Sequence, residues 1–386
     1  MNNFQFVNPT KIIFGKGEIS KLQDEIPAKA KVLLIYGGGS VKKTGLLEAI
    51  KSVLKNHVYG EFGGIEPNPA YETLMQAVEL VRADHYDYLL AIGGGSVIDG
   101  TKFIAAAAPF TQGDPWDLVA KHLPIETALP FGTVLTLPAT GSEMNNGAVI
   151  TRKEWKAKLP FMSAAVFPKF SVLDPEYTYT LPQKQIANGV VDAFVHVMEQ
   201  YLTYPVLGKV QDRFAEGLLL TLTEDGPVAL QEPENYDVRA NLMWSATLAL
   251  NGLIAAGVPQ DWSTHMVGHE ITVLYGLDHA QTLAIVLPSM LTIMQEAKAE
   301  KLTQYAERIW GLPKDMPVDA KNKAAIDKTR DFFEAMGVKT RFAEYGLGEN
   351  VVEEILASLK EHDMVKLGEH GTVTPEIVRK VLELSL

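Results

Sequence analysis

The chain has 386 residues, with 35 Lys and Arg against 47 Asp and Glu, a net charge of −12, and 47% hydrophobic residues. That length is more than twice the ~150 residues taken as a prior for one domain, the composition excludes a disordered chain, and the acidic balance disfavours nucleic acid or an anionic membrane as partner. With no cysteine, disulfides, thiolate nucleophiles, iron–sulfur clusters and Cys-ligated zinc are excluded, so any metal must be held by nitrogen and oxygen.

Residues 1–17 lack a basic segment followed by an apolar stretch, and no apolar run reaches ~18 residues, so neither a secretory signal nor a membrane span is expected. Up to about residue 180, short apolar runs alternate with glycine loops and helical patterns, the rhythm of βαβ units on a parallel sheet. Residues 31–36 (KVLLIY) read as a buried strand, Gly37, Gly38, Gly39 and Ser40 as the loop leaving it, and 42–54 as the following helix. The grammar recurs with a strand over 86–92, the loop Gly93, Gly94, Gly95 and Ser96, and a helix through Asp99, Lys102 and the alanines 105–108. A third β-like run, 132–137, ends in Pro138, Ala139, Thr140, Gly141 and Ser142. Small polar residues thus stand at a strand's carboxyl end, where open α/β sheets bind ligands. Lys153, Lys156 and Lys158 read as a solvated charge run.

From about Leu181 the period becomes helical, over 185–201, 211–223, 238–256, 262–273, 297–310, 321–336 and 351–359. This half is expected to be all-α, with 232–237 and 312–320 as loops between helices.

Asp192 and His196 stand four apart on the helix predicted over 185–201, so both side chains share a face and a single cation can reach both. The window 262–279 adds His265, His269 and His279, which places four of the nine histidines in two short segments. A carboxylate with three imidazoles is a donor set for Fe(II), Zn(II) or a similar divalent ion. The zincin pattern is absent, because Glu270 follows the second histidine of its pair. In the 93–96 loop the glycines let backbone approach a pyrophosphate, and the helix that follows offers free N–H groups and the positive end of its dipole. Neither glycine loop matches G-x-G-x-x-G or the P-loop.

Taken in order, GGGSxxD at 93–99, PATGSE at 138–143, Asp-x3-His at 192/196 and H-x3-H-E with a further His over 265–279 resemble the iron-containing (group III) alcohol dehydrogenases across essentially the whole chain. The stretches VLLIYGGGSVKKTG, FGGIEPNPAYETL and NGVVDAFVHVMEQY are most similar to the branch of NADPH-dependent aldehyde reductases and butanol dehydrogenases. The resemblance implies an α/β dinucleotide-binding domain over 1–180, an all-helical metal-binding domain over 181–386, and an active site in the cleft between them. It implies Asp192, His196, His265 and His279 as metal ligands, with His269 beside the metal as a pocket residue and candidate proton relay. Gly37, Gly38, Gly39 and Ser40 would meet the adenosine end of the cofactor, and Gly94, Gly95, Ser96 and Asp99 its pyrophosphate and nicotinamide. Thr136, Thr140, Asn145 and Lys158 would line the ribose and nicotinamide side.

Relatives that prefer NAD often place an Asp near the end of the first loop; here Ser40 is followed by Lys42 and Lys43, which implies NADP(H). The implied protein is a cytoplasmic, homodimeric NADP(H)-dependent alcohol dehydrogenase with one divalent metal, Fe2+ or Zn2+, working mainly as a reductase of small aldehydes. The alternatives are an NAD-dependent polyol or hydroxy-acid dehydrogenase of the same superfamily, a metallohydrolase, and a nucleotide-binding module whose histidines are structural.

Overall fold

Strands made of continuous apolar residues need cover on both faces, so a sheet built from them has to sit inside helical layers. The computed structural model, which describes residues 1–386, has eight strands: β1 (Lys11–Phe14), β2 (Lys31–Tyr36), β3 (Val58–Gly63), β4 (Tyr88–Gly94), β5 (Phe131–Leu137), β6 (Gly147–Arg152), β7 (Ala157–Met162) and β8 (Phe170–Leu173). Six form one sheet in the order β1-β8-β5-β4-β2-β3, every neighbouring pair parallel. Val32 to Ile35 on β2 and Leu89 to Ile92 on β4 have no exposed surface, which is why these two runs read so plainly as strands. The helices here are α1 (Leu22–Glu25), α2 (Ser40–Lys43), α3 (Leu46–Val53), α4 (Tyr71–Asp84), α5 (Gly95–Ala107) and α6 (Asp117–Ala120).

The helix expected over 42–54 is two helices, because Gly45 takes a left-handed φ of 79° that ends α2 and opens α3. β6 and β7 form an antiparallel hairpin in which Lys158 lies opposite Thr151. The solvated reading of the three lysines therefore holds for Lys153 and Lys156, which are exposed near the turn, and fails for Lys158, which the hairpin buries.

The rest of the chain is helical: α7 (Gln183–Tyr201), α8 (Lys209–Gln231), α9 (Tyr236–Ala249), α10 (Ser263–Tyr275), α11 (His279–Ile293), α12 (Ala299–Arg308), α13 (Val318–Ala335), α14 (Asn350–Glu361) and α15 (Pro375–Leu384). α7 is buried all round from Ile186 to Tyr201, packed against α8, α9 and α11. Polar side chains on it are therefore interior groups that need partners. The helix expected over 238–256 stops at Ala249, and the one expected over 211–223 runs on through Pro227 to Gln231.

Two units emerge, Val7–Leu181 and a second made of Met1–Phe6 with Pro182–Leu386. No helix is long and apolar enough to cross a membrane.

Candidate metal centre and dinucleotide loops

α7 brings Asp192 and His196 onto one buried face, and Glu199 follows one turn later. α10 supplies His265, and His279 is the first residue of α11. His279 owes its place to local chemistry. Asp278 and Gln281 form a capping box that starts α11, and Asn188 on α7 donates to Asp278 at 3.0 Å.

Ligand atoms of Asp192, His196, His265 and His279 all lie within 4.8 Å of one another. Asp192 Oδ1 is 3.7 Å from His196 Nε2 and 3.6 Å from His279 Nε2. The His196 and His265 rings stack with centroids 4.6 Å apart. Metal–ligand bonds of about 2.0–2.2 Å put nitrogen and oxygen ligands on opposite sides of one ion at most roughly 4.4 Å apart, so the four donors need to close by only a few tenths of an ångström to share a single cation. Three imidazoles with one carboxylate suit iron or zinc. His269 is buried, with its ring 5.3 Å from that of His279 and 6.4 Å from that of His265, and it lies outside the four-donor group.

α10 begins unusually. Its N-cap residue, Trp262, has a left-handed φ of 67° and provides no side-chain cap. Asp261 accepts the Ser263 N–H at 2.8 Å, and the Glu199 carboxylate accepts those of Thr264 and His265 at 2.7 and 3.2 Å. The same Glu199 oxygen meets the His265 ring at Nδ1. Behind this turn, Lys298 Nζ reaches Asp261 and the Leu202 carbonyl, both at 2.7 Å, and Glu369 at 2.9 Å. Burial, with Asp261 adding to it, pushes the Glu199 carboxyl well above the ordinary carboxylate range; a cation bound at the cluster would act in the opposite sense. The sequence reading passed over Glu199, although its spacing from Asp192 and His196 puts it on their face of the helix.

The first glycine run is a loop after β2, but the loop expected over 93–96 is absent, since Gly93 and Gly94 end β4 and Gly95 and Ser96 begin α5; the two sets of glycines serve different ends. A methyl group on Gly38 or Gly39 would meet nothing within 4 Å, and Gly39 has a φ of 101°, so this loop is an open backbone cradle. On Gly93, Gly94 and Gly95 it would run into Val97 at 2.6 Å, Leu137 at 2.9 Å and Thr140 at 2.4 Å. Those three glycines are required by the chain's own packing. α5 starts at Gly95 with no side-chain cap, which leaves first-turn N–H groups for an anion. Ser96 Oγ accepts the Asn68 N–H at 3.3 Å.

Asp99 is a brace: it accepts Ser142 Oγ at 2.5 Å and the Val149 N–H at 2.9 Å, tying α5 to the segment after β5 and to β6. Thr136 lies near the end of β5, and Thr140 Oγ1 accepts the Ser142 N–H at 3.2 Å. Asn145 Oδ1 accepts Lys102 Nζ at 2.7 Å and the Gly147 N–H at 3.1 Å. Burial pushes the Lys102 ammonium down to about 8, with Asp99 opposing, and burial likewise raises Asp99.

Ser40 and Lys43 are exposed. Lys42 extends over the Tyr36 ring, 4.9 Å from its centroid and 4.0 Å from Glu61. The loop itself carries no acid, yet the adjacent strand β3 brings Glu61 beside it. Lys51 at 2.6 Å and the Tyr36 hydroxyl at 2.9 Å engage that carboxylate and hold its pKa below the usual range.

Comparison with known proteins agrees with this arrangement. Residues 9–175 match the family model for iron-containing alcohol dehydrogenase, and 186–386 match that for the Fe-containing alcohol dehydrogenase family, C-terminal. The chain belongs to the iron-containing alcohol dehydrogenase family. Within it, the chain is 59% identical over 385 residues to the NADPH-dependent aldehyde reductase YqhD of Escherichia coli K12, covering 99% of each. The crystal structure of E. coli YqhD superposes with a TM-score of 0.98 at 58% identity, over 100% of this chain and 99% of that one. The NADH-dependent butanol dehydrogenase A of Thermotoga maritima gives 0.95 at 34% identity, over 100% and 99%. The fold class expected for this family, a parallel α/β domain and an all-helical domain, is the one observed.

Proposed function

We propose that this member of the family is an NADP(H)-dependent alcohol dehydrogenase that works mainly as a reductase of small aldehydes. The observation that carries the reading is the approach of Asp192, His196, His265 and His279 to within 4.8 Å. The name of the E. coli relative supports the aldehyde and the NADPH. Asp192, His196, His265 and His279 hold one divalent cation, iron or zinc, and an ion that takes a fifth ligand keeps a coordination position for substrate beside these four. When bound, such an ion supplies Lewis-acid polarisation of a carbonyl oxygen. NADPH supplies the hydride. The open Gly38–Gly39 backbone and Ser40 hold the adenosine end, with Lys43 offsetting 2′-phosphate charge. The uncapped start of α5 at Gly94, Gly95 and Ser96 receives the pyrophosphate. Asp99 holds Ser142 and the Val149 backbone in place, and Lys102 fixes the amide of Asn145, so that Thr136, Thr140, Asn145 and Lys158 present a set surface to the ribose and nicotinamide. His269, outside the four-donor group, holds a proton for the alkoxide product.

The 262–279 window carries no Lys or Arg, so a carboxylate- or phosphate-bearing substrate finds no fixed cation there. Assembly as a homodimer and a cytoplasmic location belong to the same proposal, on the family likeness. The test is the absorbance at 340 nm when metal-loaded protein meets NADPH and butanal. Oxidation of the cofactor is expected, nearly abolished in His265→Ala. No oxidation, or full metal occupancy in that variant, would reject the reading.

A further inference from the structure

Glu199 lies on α7 one turn past His196 and is 3% exposed. Both of its oxygens face one object, the first turn of α10. One accepts the Thr264 N–H at 2.7 Å; the other accepts the His265 N–H at 3.2 Å and meets ring Nδ1 of the same residue. A helix ordinarily covers its first N–H groups with a side-chain oxygen from its own N-cap residue. Here that residue is Trp262, which has none to offer, so Asp261 covers Ser263 and the oxygens that cover Thr264 and His265 come from a different helix. An imidazole has two ring nitrogens. With Nδ1 directed to Glu199, the nitrogen left for the cluster is Nε2. Backbone and ring of His265 are thus held by one carboxylate, the helix end through two N–H groups and the ring through Nδ1.

The far side of the turn is held independently. Asp261 caps Ser263, its own N–H donates to the Glu199 carbonyl at 2.9 Å, and Lys298 clamps Asp261 to the Leu202 carbonyl and Glu369. We infer that Glu199 is the positioning residue of the metal centre, fixing His265 as an imidazole protonated at Nδ1 with Nε2 turned to the cation, while the Lys298–Asp261–Glu369 cluster keeps the turn that carries it in register. The inference rests on the ligand assignment proposed above. Groups that orient a ligand in this way typically change metal affinity 10–100-fold when removed.

The test titrates Zn2+ into chelator-stripped parent and Glu199→Gln protein in competition with a chromophoric chelator. The substitution keeps the volume and one accepting oxygen. Binding roughly 10–100-fold weaker in the variant is expected. If the variant does not fold, histidine 15N NMR of the zinc-loaded parent decides: His265 should carry its proton on Nδ1 and the metal on Nε2. Equal zinc affinity in parent and variant, even with a lower melting temperature for the variant, would reduce Glu199 to a helix cap and overturn the inference, as would a proton on Nε2. A parent that binds no metal would instead overturn the ligand assignment, and the inference with it.

Discussion

Replacing Gly38 and Gly95 separately by alanine tests whether the two sets of glycines differ as their surroundings require. At Gly95 the new methyl carbon would stand 2.4 Å from Thr140 Oγ1 and 2.6 Å from its Cγ2, closer than real contacts allow. Overpacking of this kind costs about 1–3 kcal/mol. At roughly 2–4 °C per kcal/mol for a unit of this size, the melting temperature should fall by about 2–12 °C. At Gly38 the methyl meets nothing within 4 Å and no left-handed φ is involved, so the fold should not register it. Stability should stay within about 0.5 kcal/mol of the parent. The cost of Gly38→Ala should fall on the cofactor, whose phosphate needs the space the methyl takes. Calorimetric titration with NADPH should show a Kd at least about tenfold higher, equivalent to ~1.4 kcal/mol. A Gly38→Ala protein that binds NADPH like the parent would refute the cradle, and a Gly95→Ala protein that melts like the parent would refute the packing argument.

Ser40→Asp places a carboxylate on the exposed first residue of α2; at ~4 Å from a 2′-phosphate and an effective dielectric near 20, repulsion reaches about 4 kcal/mol before solvent screening. Its kcat/KM should drop at least tenfold with NADPH and hold with NADH, and an unchanged ratio would count against the assigned loop. His269→Ala should retain its metal while kcat falls by roughly 10²–10⁴; metal loss equal to that of His265→Ala would make His269 a ligand. The hydrogen bond between His362 Nδ1 and Glu270, 3.0 Å long, raises the His362 pKa above 6.5. Its contribution to stability is therefore complete below that value and lost as pH rises through the higher folded value. Denaturant melts should find His362→Gln most destabilised relative to the parent near pH 6 and least near pH 9, and a pH-independent difference would contradict the pairing.

What the sequence reveals here is what short-range chemistry controls. β2 and β4 are legible because both faces are buried, and the turns at their ends because glycine follows β2 at once and closes β4. β3 is not, since its alternation VYGEFG carries two glycines and a glutamate on a strand at the sheet's edge. α11 escapes because it is buried all round from Thr282 to Leu291, with Pro288 inside, and so has no period to detect. The metal cluster shows both sides of the limit. Asp192 with His196 and His265 with His269 have the same spacing of four, yet only the first pair joins the four-donor group whole. Which histidine completes it depends on the capping box at Asp278 that starts α11 and on Asn188 of α7, a contact between residues 90 apart in sequence.

The allocation of Met1–Phe6 to the helical unit bears on how the protein is made. The Asn2 N–H donates to the Gly257 carbonyl at 2.9 Å, and Phe4 packs beside that glycine. Ribosomal synthesis releases residue 2 long before residue 257 exists, so this segment waits unpaired while the whole 7–181 unit has been translated and is free to fold. A fragment beginning at 182 would lack it altogether, whereas one spanning 7–181 loses nothing of its own unit. Residues 1–6, made before the unit they join, are thus among the last to find their partners.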